Sequence, residues 1–449
     1  MVTNFSDVVT PLLIERTSKG LADAVGRAIG DHSFEEGATL PPIRVVAESL
    51  VMSPSTVSTA WKLLARAGAI RSDGRRGTVV LARRGPGPAR YRRALDRSLT
   101  FRLDLSTGVP DAKLLPDLAP ALGDLHRAGV SGSYLDDPII SGLVEALRAD
   151  WPYDACDFAI VDGAMDALDQ VASHLLHFGD VVIVENPSFP PALDLLDALG
   201  VRAIGVDVDE EGLMPERLAE TLAGRPRALL LQPRAHNPTG ISMSTRRANE
   251  LASLLRGTEV VVLEDDSAGA VASTAPISLG AWLPEQTVHI RSFSKSHGPD
   301  LRLAAISGPT ALMEGVRERR LLGQGWTSRL LQAILLDLLH RDESRQQIER
   351  ARAIYARRRR AICAALADRG VVVIGEDGLN LWLPVRDETS ALLLLASRGI
   401  GAAAGSPFAT RDGNEPHLRV TTGLIEEGVD ELADVLVRAA GVGPSAGPR

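Results

Sequence analysis

Five short and almost uninterrupted apolar runs punctuate the chain beyond residue 100: Phe158–Val161, Val181–Val184, Ala228–Leu231, Val260–Leu263 and Val288–Ile290. Runs this short and this apolar read as strands buried on both faces. Roughly 20–45 residues separate one run from the next, room for a crossover helix each time. The spacing predicts an α/β fold with a largely parallel sheet covered on both sides. Ligands in such sheets bind beyond the carboxyl ends of the strands, so the chemistry belongs just after each run.

Polar residues cluster there. After the first run comes Asp162-Gly-Ala-Met-Asp-Ala-Leu168, where the N–H groups of Ala164 and Met165 at a helix start suit a phosphate. After the second, Glu185-Asn-Pro-Ser-Phe189 brings Phe189 to where it can lie on an aromatic ring. After the third, Gln232-Pro-Arg-Ala-His-Asn-Pro-Thr-Gly240 presents Asn237 as a donor to a phenolate oxygen. After the fourth, Glu264-Asp-Asp-Ser267 offers a buried carboxylate for a pyridinium nitrogen. After the fifth, Ser292-Phe-Ser-Lys-Ser-His-Gly-Pro-Asp-Leu-Arg302 supplies Lys295 for a Schiff base, with Ser292, Ser294 and Arg302 for a phosphate. Near the end, Arg419 lies inside an apolar strand, costly unless it pairs with a carboxylate. Singly, each has an ordinary alternative: Asn-Pro-Thr-Gly as a turn, Asp-Asp as a helix cap, a loop phenylalanine as core.

The first hundred residues differ in charge. They hold 15 Lys/Arg against 9 Asp/Glu, whereas the chain as a whole carries −8. A basic head on an acidic body suggests a polyanionic partner. Thr17 or Ser18 caps a helix with apolar Leu21, Val25, Ala28 and Ile29. A second short helix follows Leu40-Pro-Pro42. A third opens at Ser53-Pro54 with Val57, Trp61 and Leu64 inward and Ser55, Thr56, Ser58, Thr59 and Lys62 off that stripe. Two β-prone runs around Gly-Arg-Arg-Gly77 then form a hairpin. This is a winged helix-turn-helix. Its third helix would enter the major groove, and Arg75 and Arg76 on the wing would meet the backbone or the minor groove. Residues 82–100, with Gly/Pro breakers and arginines, read as a linker. The expected domains are thus 1–81, 82–100 and 101–449.

Two resemblances follow from these motifs. Leu40-Pro-Pro-Ile-Arg44, Ser53-x-Ser-Thr-Val57 and Gly74-x-x-Gly-Thr78 resemble the DNA-binding domain of the GntR superfamily, which implies a DNA contact by Arg44. Many members carry recognition-helix arginines where this chain has Pro54 and Ser58, so base readout by arginine is not carried over. The body's motif series resembles fold-type I aminotransferases of the class I/II group. That implies a large, mainly parallel sheet domain with a small α+β C-terminal subdomain, and pyridoxal 5′-phosphate (PLP) as cofactor. The resemblance assigns Lys295 to the Schiff base, Asp265 to the pyridine nitrogen, Asn237 to the ring hydroxyl oxygen and Phe189 to ring stacking. It assigns Ala164, Met165, Ser292 and Arg302 to the phosphate, Tyr134 to the phosphate of a neighbouring subunit in a homodimer, and Arg419 to a substrate carboxylate. The tyrosine often found two residues after the aspartate is Ser267 here. Head and body together resemble the MocR-type transcriptional regulators. That implies a regulator which binds an operator in double-stranded DNA and senses PLP or an amino compound. An active PLP-dependent aminotransferase with an accessory head is the alternative.

Two cysteines, Cys156 and Cys363, exclude a disulfide framework and a cysteine-rich metal site. No apolar run approaches the roughly 18 residues of a membrane span, and no signal peptide is read at the N-terminus. The expectation is a cytoplasmic protein with no metal and no membrane partner.

Overall fold

The computed structural model describes the chain apart from residues 1–4, 31–32, 35–36, 67–68, 74–76, 81–89, 91–99, 129–131, 412 and 444–449. The head forms as expected, with additions. Thr17 Oγ1 accepts the Gly20 N–H at 3.0 Å and caps the helix Ser18–Gly30. Ser53 Oγ accepts the Thr56 N–H at 3.1 Å and opens the helix Pro54–Arg66. Between them runs Ile43–Ser49. Leu21, Val25, Ala28, Val46, Val57, Trp61 and Leu64 close into one core. The hairpin of β2 (Ile70–Asp73) and β3 (Gly77–Val80) gains β1 (Thr39–Leu40), which pairs antiparallel with β3. A helix at Phe5–Val9 was not anticipated. Its Phe5 stacks on Phe34 at 5.4 Å and meets Trp61 edge-on, so aromatic packing supplies what a five-residue helix cannot hold by its own hydrogen bonds.

The body opens on β4 (Leu103–Asp104). Its large sheet takes β5 (Asp157–Val161), β6 (Val181–Asn186), β7 (Arg202–Asp209), β8 (Gly212–Leu213), β9 (Ala228–Leu231), β10 (Val261–Asp266), β11 (Thr287–Ser292) and β12 (Ala304–Gly308), in spatial order β5-β12-β11-β10-β9-β6-β7-β8. The pairs among β7, β6, β9, β10 and β11 are parallel. β12 runs antiparallel between β5 and β11. Alternation divides the core: Val182, Val184, Leu230 and Leu263 face the helices Ala164–Leu175 and Pro190–Ala198, while Ile183, Leu229, Leu231 and Val262 face Thr245–Leu255. Both faces are covered, which is why these runs are apolar throughout.

One expectation fails. The connection from β10 to β11 contains two 3-10 turns, Gly269–Val271 and Leu279–Ala281, instead of a crossover α-helix. The segment Ser267-Ala-Gly-Ala-Val-Ala-Ser-Thr-Ala-Pro276 has no helical apolar period and ends in a proline.

The small subdomain is an antiparallel sheet of β13 (Asn380–Pro384), β16 (His417–Thr421) and β15 (Ala403–Ala404), covered by Glu388–Ser397, Val429–Gly441 and the far end of the 26-residue helix Asp342–Ala367. It is not wholly C-terminal. β4 pairs with β14 (Ile400–Gly401), so the start of the body is built into its end. Among the described residues no helix is long and apolar enough to cross a membrane, and no His/Cys/Asp/Glu group could hold a metal ion.

Candidate cofactor site and nucleic-acid interface

The strand ends carry the expected polar groups to one place. Along β10 the run Glu264-Asp265-Asp266 alternates faces. Glu264 turns to His289, Ser278 and the Leu279 N–H, and Asp266 pairs with Arg234. Asp265 turns the other way. Its Oδ2 accepts Gln232 Nε2 at 2.7 Å, whereas its Oδ1 is sealed from solvent and has no partner. Burial raises its pKa to about 6, against the Gln232 bond and the charge of Lys295. A buried acceptor left bare is the group that a protonated ring nitrogen would satisfy.

Lys295 sits in the first turn beyond β11, its Nζ 3.4 Å from Ser267 Oγ. Burial pulls the amine pKa down, and Asp265 only partly opposes this. The uncharged amine so favoured is the nucleophilic form. Asn237 is held at both ends: its N–H donates to Gln232 Oε1 at 2.8 Å, and its Oδ1 accepts Asn380 Nδ2 at 3.5 Å.

The anion end is shaped by backbone. Gly163 caps the helix Ala164–Leu175 at φ 107°, and no side chain caps that helix. Arg302, itself left-handed at φ 49°, arches over the turn and donates to the Asp162 carbonyl at 3.1 Å. A Cβ on Gly163 would lie 3.2 Å from its guanidinium. The open N–H groups of Ala164 and Met165 and the arginine thus share one anion cup. Ser292 is buried and its Oγ accepts the Ser294 N–H. Phe189, half-buried, is the residue from which the helix Pro190–Ala198 starts. On β16, Arg419 faces its pairing partner Trp382, lies over the Phe408 ring at 5.3 Å and donates to the Ser106 carbonyl. Gly108, at φ 67°, lets the 106–108 loop approach: a Cβ there would stand 3.4 Å from the guanidinium. Tyr134 does not join this group in its own chain. It is 89% exposed and meets Trp326 edge-on.

Sequence reasoning passed over Gln232, which touches both Asp265 and Asn237. Its signal was its position, a polar residue directly at the end of β9. Ser267, noted only as a missing tyrosine, lies between Lys295 and Gln232. On the head, Arg44, Ser55, Thr59 and Lys62 are exposed and Thr56 and Ser58 half-buried, on the side away from Val57, Trp61 and Leu64. Arg75 and Arg76 lie outside the described residues.

Behind the site, Glu185 is buried, accepts the Gln232 N–H at 2.7 Å and lies 3.4 Å from His236 Nε2. Burial lifts its pKa from 4.5 to about 8, with Asp265 adding to the rise. The folded state therefore retains a proton that the unfolded chain releases above its ordinary pKa. Stability from this group is full below that value and is lost as pH rises through about 8. His236 and His297, lowered by burial to about 3 and about 4, are neutral in the folded state throughout this range, and the unfolded imidazoles, which still titrate just above pH 6.5, do so alike in the natural chain and in Glu185→Gln. Between pH 6.5 and 8 the cofactor-free protein should lose about 2 kcal/mol more than Glu185→Gln. Denaturation curves of both proteins at the two pH values measure the difference, and parallel losses would refute the assignment.

Two family models match the chain: bacterial regulatory proteins, gntR family, over residues 17–80, and aminotransferase class I and II over residues 102–436. The vitamin B6 salvage pathway transcriptional repressor PtsJ of Salmonella typhimurium is 36% identical over 88% of this chain and 91% of its own. The HTH-type transcriptional regulator TauR of Rhodobacter capsulatus is 27% identical over 86% and 88%. Among solved structures, the alpha-aminoadipate aminotransferase LysN of Thermus thermophilus, complexed with N-(5'-phosphopyridoxyl)-L-leucine, superposes with a TM-score of 0.67 at 25% identity, covering 75% of this chain and 92% of that one. The bare Asp265 oxygen, the half-buried Lys295 amine and the anion cup fit PLP. The chain therefore belongs to the MocR-type transcriptional regulators of the GntR superfamily, in which a helix-turn-helix DNA-binding head is fused to a PLP-binding aminotransferase-like body.

Proposed function

We propose that PLP, or PLP together with an amino compound held by Arg419, sets the affinity of this regulator for an operator. When bound, the cofactor supplies an electrophilic aldehyde and an electron-withdrawing ring. The chain supplies the rest. Lys295 provides the amine, and Asp265 holds a proton on the ring nitrogen. Asn237 donates to the ring oxygen, and Phe189 covers the ring. Ala164, Met165, Ser292 and Arg302 hold the phosphate. Arg44, Ser55, Thr56, Ser58, Thr59 and Lys62 face DNA, with Arg75 and Arg76 on the wing, and residues 82–100 serve as linker. The protein works in the cytoplasm as a homodimer in which Tyr134 reaches the neighbouring subunit's phosphate. Exposed Tyr134, Leu135, Leu321 and Leu322 support a covering partner for that face.

The observation that carries the reading is that the head rests against the cofactor-bearing body while its polar DNA face stays open. Phe178, just before β6, packs against the head core, and a Cβ on Gly26 would come 3.2 Å from its ring. Lys19 pairs with Asp180 at 3.4 Å. Arg90 donates from its backbone to Asp194 at 3.1 Å and pairs with Asp197. Asp194 and Asp197 lie on the helix that starts at Phe189. One short helix therefore spans from the ring-covering residue to the linker, a physical route for the coupling.

PtsJ is named for repression of vitamin B6 salvage, and the same gene class is the proposed target here. The test is a mobility shift with the full-length protein on its own upstream DNA, with and without PLP, beside half-transamination with a panel of amino acids. Specific binding whose affinity changes with PLP, without turnover, is the expected result. Turnover without specific DNA binding would support the enzyme instead.

A further inference from the structure

We infer that Gln232 is the positioning residue that fixes both polar ends of the cofactor ring at once, Asp265 at the nitrogen and Asn237 at the hydroxyl oxygen. The inference rests on the roles given to those two residues above. Gln232 is buried, and its hydrogen-bonding groups are committed in three directions. Its N–H donates to Glu185 Oε2 at 2.7 Å. Its Nε2 donates to Asp265 Oδ2 at 2.7 Å and lies 3.3 Å from Ser267 Oγ. Its Oε1 accepts the Asn237 N–H at 2.8 Å. The orientation of the amide is not arbitrary. Turned over, it would set an acceptor against a carboxylate and a donor against an N–H.

Only a side chain that carries a donor and an acceptor side by side does both jobs. A carboxylate lacks the donor, an ammonium lacks the acceptor, and a hydrocarbon lacks both. Pro233 follows and disfavours the helical region for residue 232, which narrows the directions from which the side chain can start. The bond to Oδ2 does more than stabilise Asp265. It spends one carboxylate oxygen and leaves the other, Oδ1, without a partner. That fixes which oxygen meets the ring nitrogen. Ser267 extends the same network to the Lys295 amine. Around the buried Gln232 and Asp265 such linked bonds reinforce one another, and an unmade one is costly.

Gln232→Leu and Gln232→Glu in the full-length protein separate this role from a structural one. PLP affinity is followed by quenching of protein fluorescence, and the pH midpoint of the lysine-linked cofactor's absorbance is recorded alongside. Gln232→Leu should weaken PLP binding about 10-fold or more and shift the midpoint. Gln232→Glu keeps the acceptor for Asn237 but sets a second acidic group against Asp265. It should bind poorly at pH 8 and recover as pH falls, because the introduced acid donates to Asp265 once protonated. The inference is overturned if Gln232→Leu binds PLP like the natural chain with the same midpoint. It is overturned equally if Gln232→Glu shows no recovery at low pH, or if both variants merely melt earlier without PLP and keep the midpoint. Failure of the natural chain itself to bind PLP would remove the cofactor assignment together with this inference.

Discussion

Lys295→Ala is expected to abolish the absorbance of lysine-linked cofactor and to weaken PLP binding at least about 100-fold, about 2.7 kcal/mol. Lys295 is the amine of this site whose pKa is lowered by burial, with Asp265 and Ser267 beside it. Alanine removes the covalent bond and leaves the anion cup and Asp265 as non-covalent contacts. Lys295→Arg separates bond from charge. It keeps a cation near Asp265 but cannot condense with an aldehyde, so its absorbance should match that of Lys295→Ala. In the mobility shift, both variants should bind the operator as the cofactor-free natural protein does and respond to PLP only at far higher concentration. The head's core shares no residue with the lysine loop, which is why basal DNA binding should survive. A Lys295→Ala protein that retains the absorbance, or responds to PLP at the same concentration, would refute the covalent anchor.

The parts of this architecture that depend on local chemistry were legible in the sequence. Apolar runs such as Ala228–Leu231 announce buried strands because both faces need hydrocarbon, and Ser53 followed by Pro54 announces a helix start. β12 escaped notice because Ala304-Ala-Ile-Ser-Gly308 owes its burial to lying between β5 and β11 more than to its own hydropathy. β7 escaped because it lies towards the sheet edge, half-exposed, with charges along it. The pairing of Leu103–Asp104 with Ile400–Gly401 joins segments about 300 residues apart, and nothing in either dipeptide signals the other.

Legibility of the site divided similarly. Lys295, Asp265, Asn237 and Arg302 were readable because each occupies a motif at a strand end. Gln232 was not singled out, because a glutamine before a proline is unremarkable until Asp265 and Asn237 are seen on either side of it. Tyr134 is recognisable by its motif, yet the packing of its own chain leaves it at the surface.

Neighbouring aspartates on β10 should respond in opposite ways, and this is the sharpest test of the alternation read from Glu264-Asp265-Asp266. Asp266→Ala is expected to cost about 3–5 kcal/mol of stability. Asp266 Oδ2 meets Arg234 Nη2 at 2.5 Å, both side chains buried. Burial alone would raise the Asp266 carboxyl, but Arg234 together with His289 and Arg291 outweighs it and holds the pKa below the ordinary value. Removing the carboxylate strands a guanidinium whose remaining contacts are the Thr274 and Gly269 carbonyls. Asp265→Asn should do the reverse. A carboxyl raised from 3.8 to about 6 is a liability once ionised, worth roughly 3 kcal/mol above pH 6 and nothing below the lower value. Asparagine keeps the Gln232 bond without the charge, so the cofactor-free variant should gain up to about 3 kcal/mol at pH 8 and almost nothing at pH 3. PLP affinity should move the other way, falling about 10-fold or more because the ring nitrogen loses its anionic partner. Denaturation at the two pH values and PLP titration of both variants decide the matter. If Asp265→Asn destabilises the cofactor-free protein at pH 8 as Asp266→Ala does, Asp265 is a structural acid and the ring-nitrogen role falls.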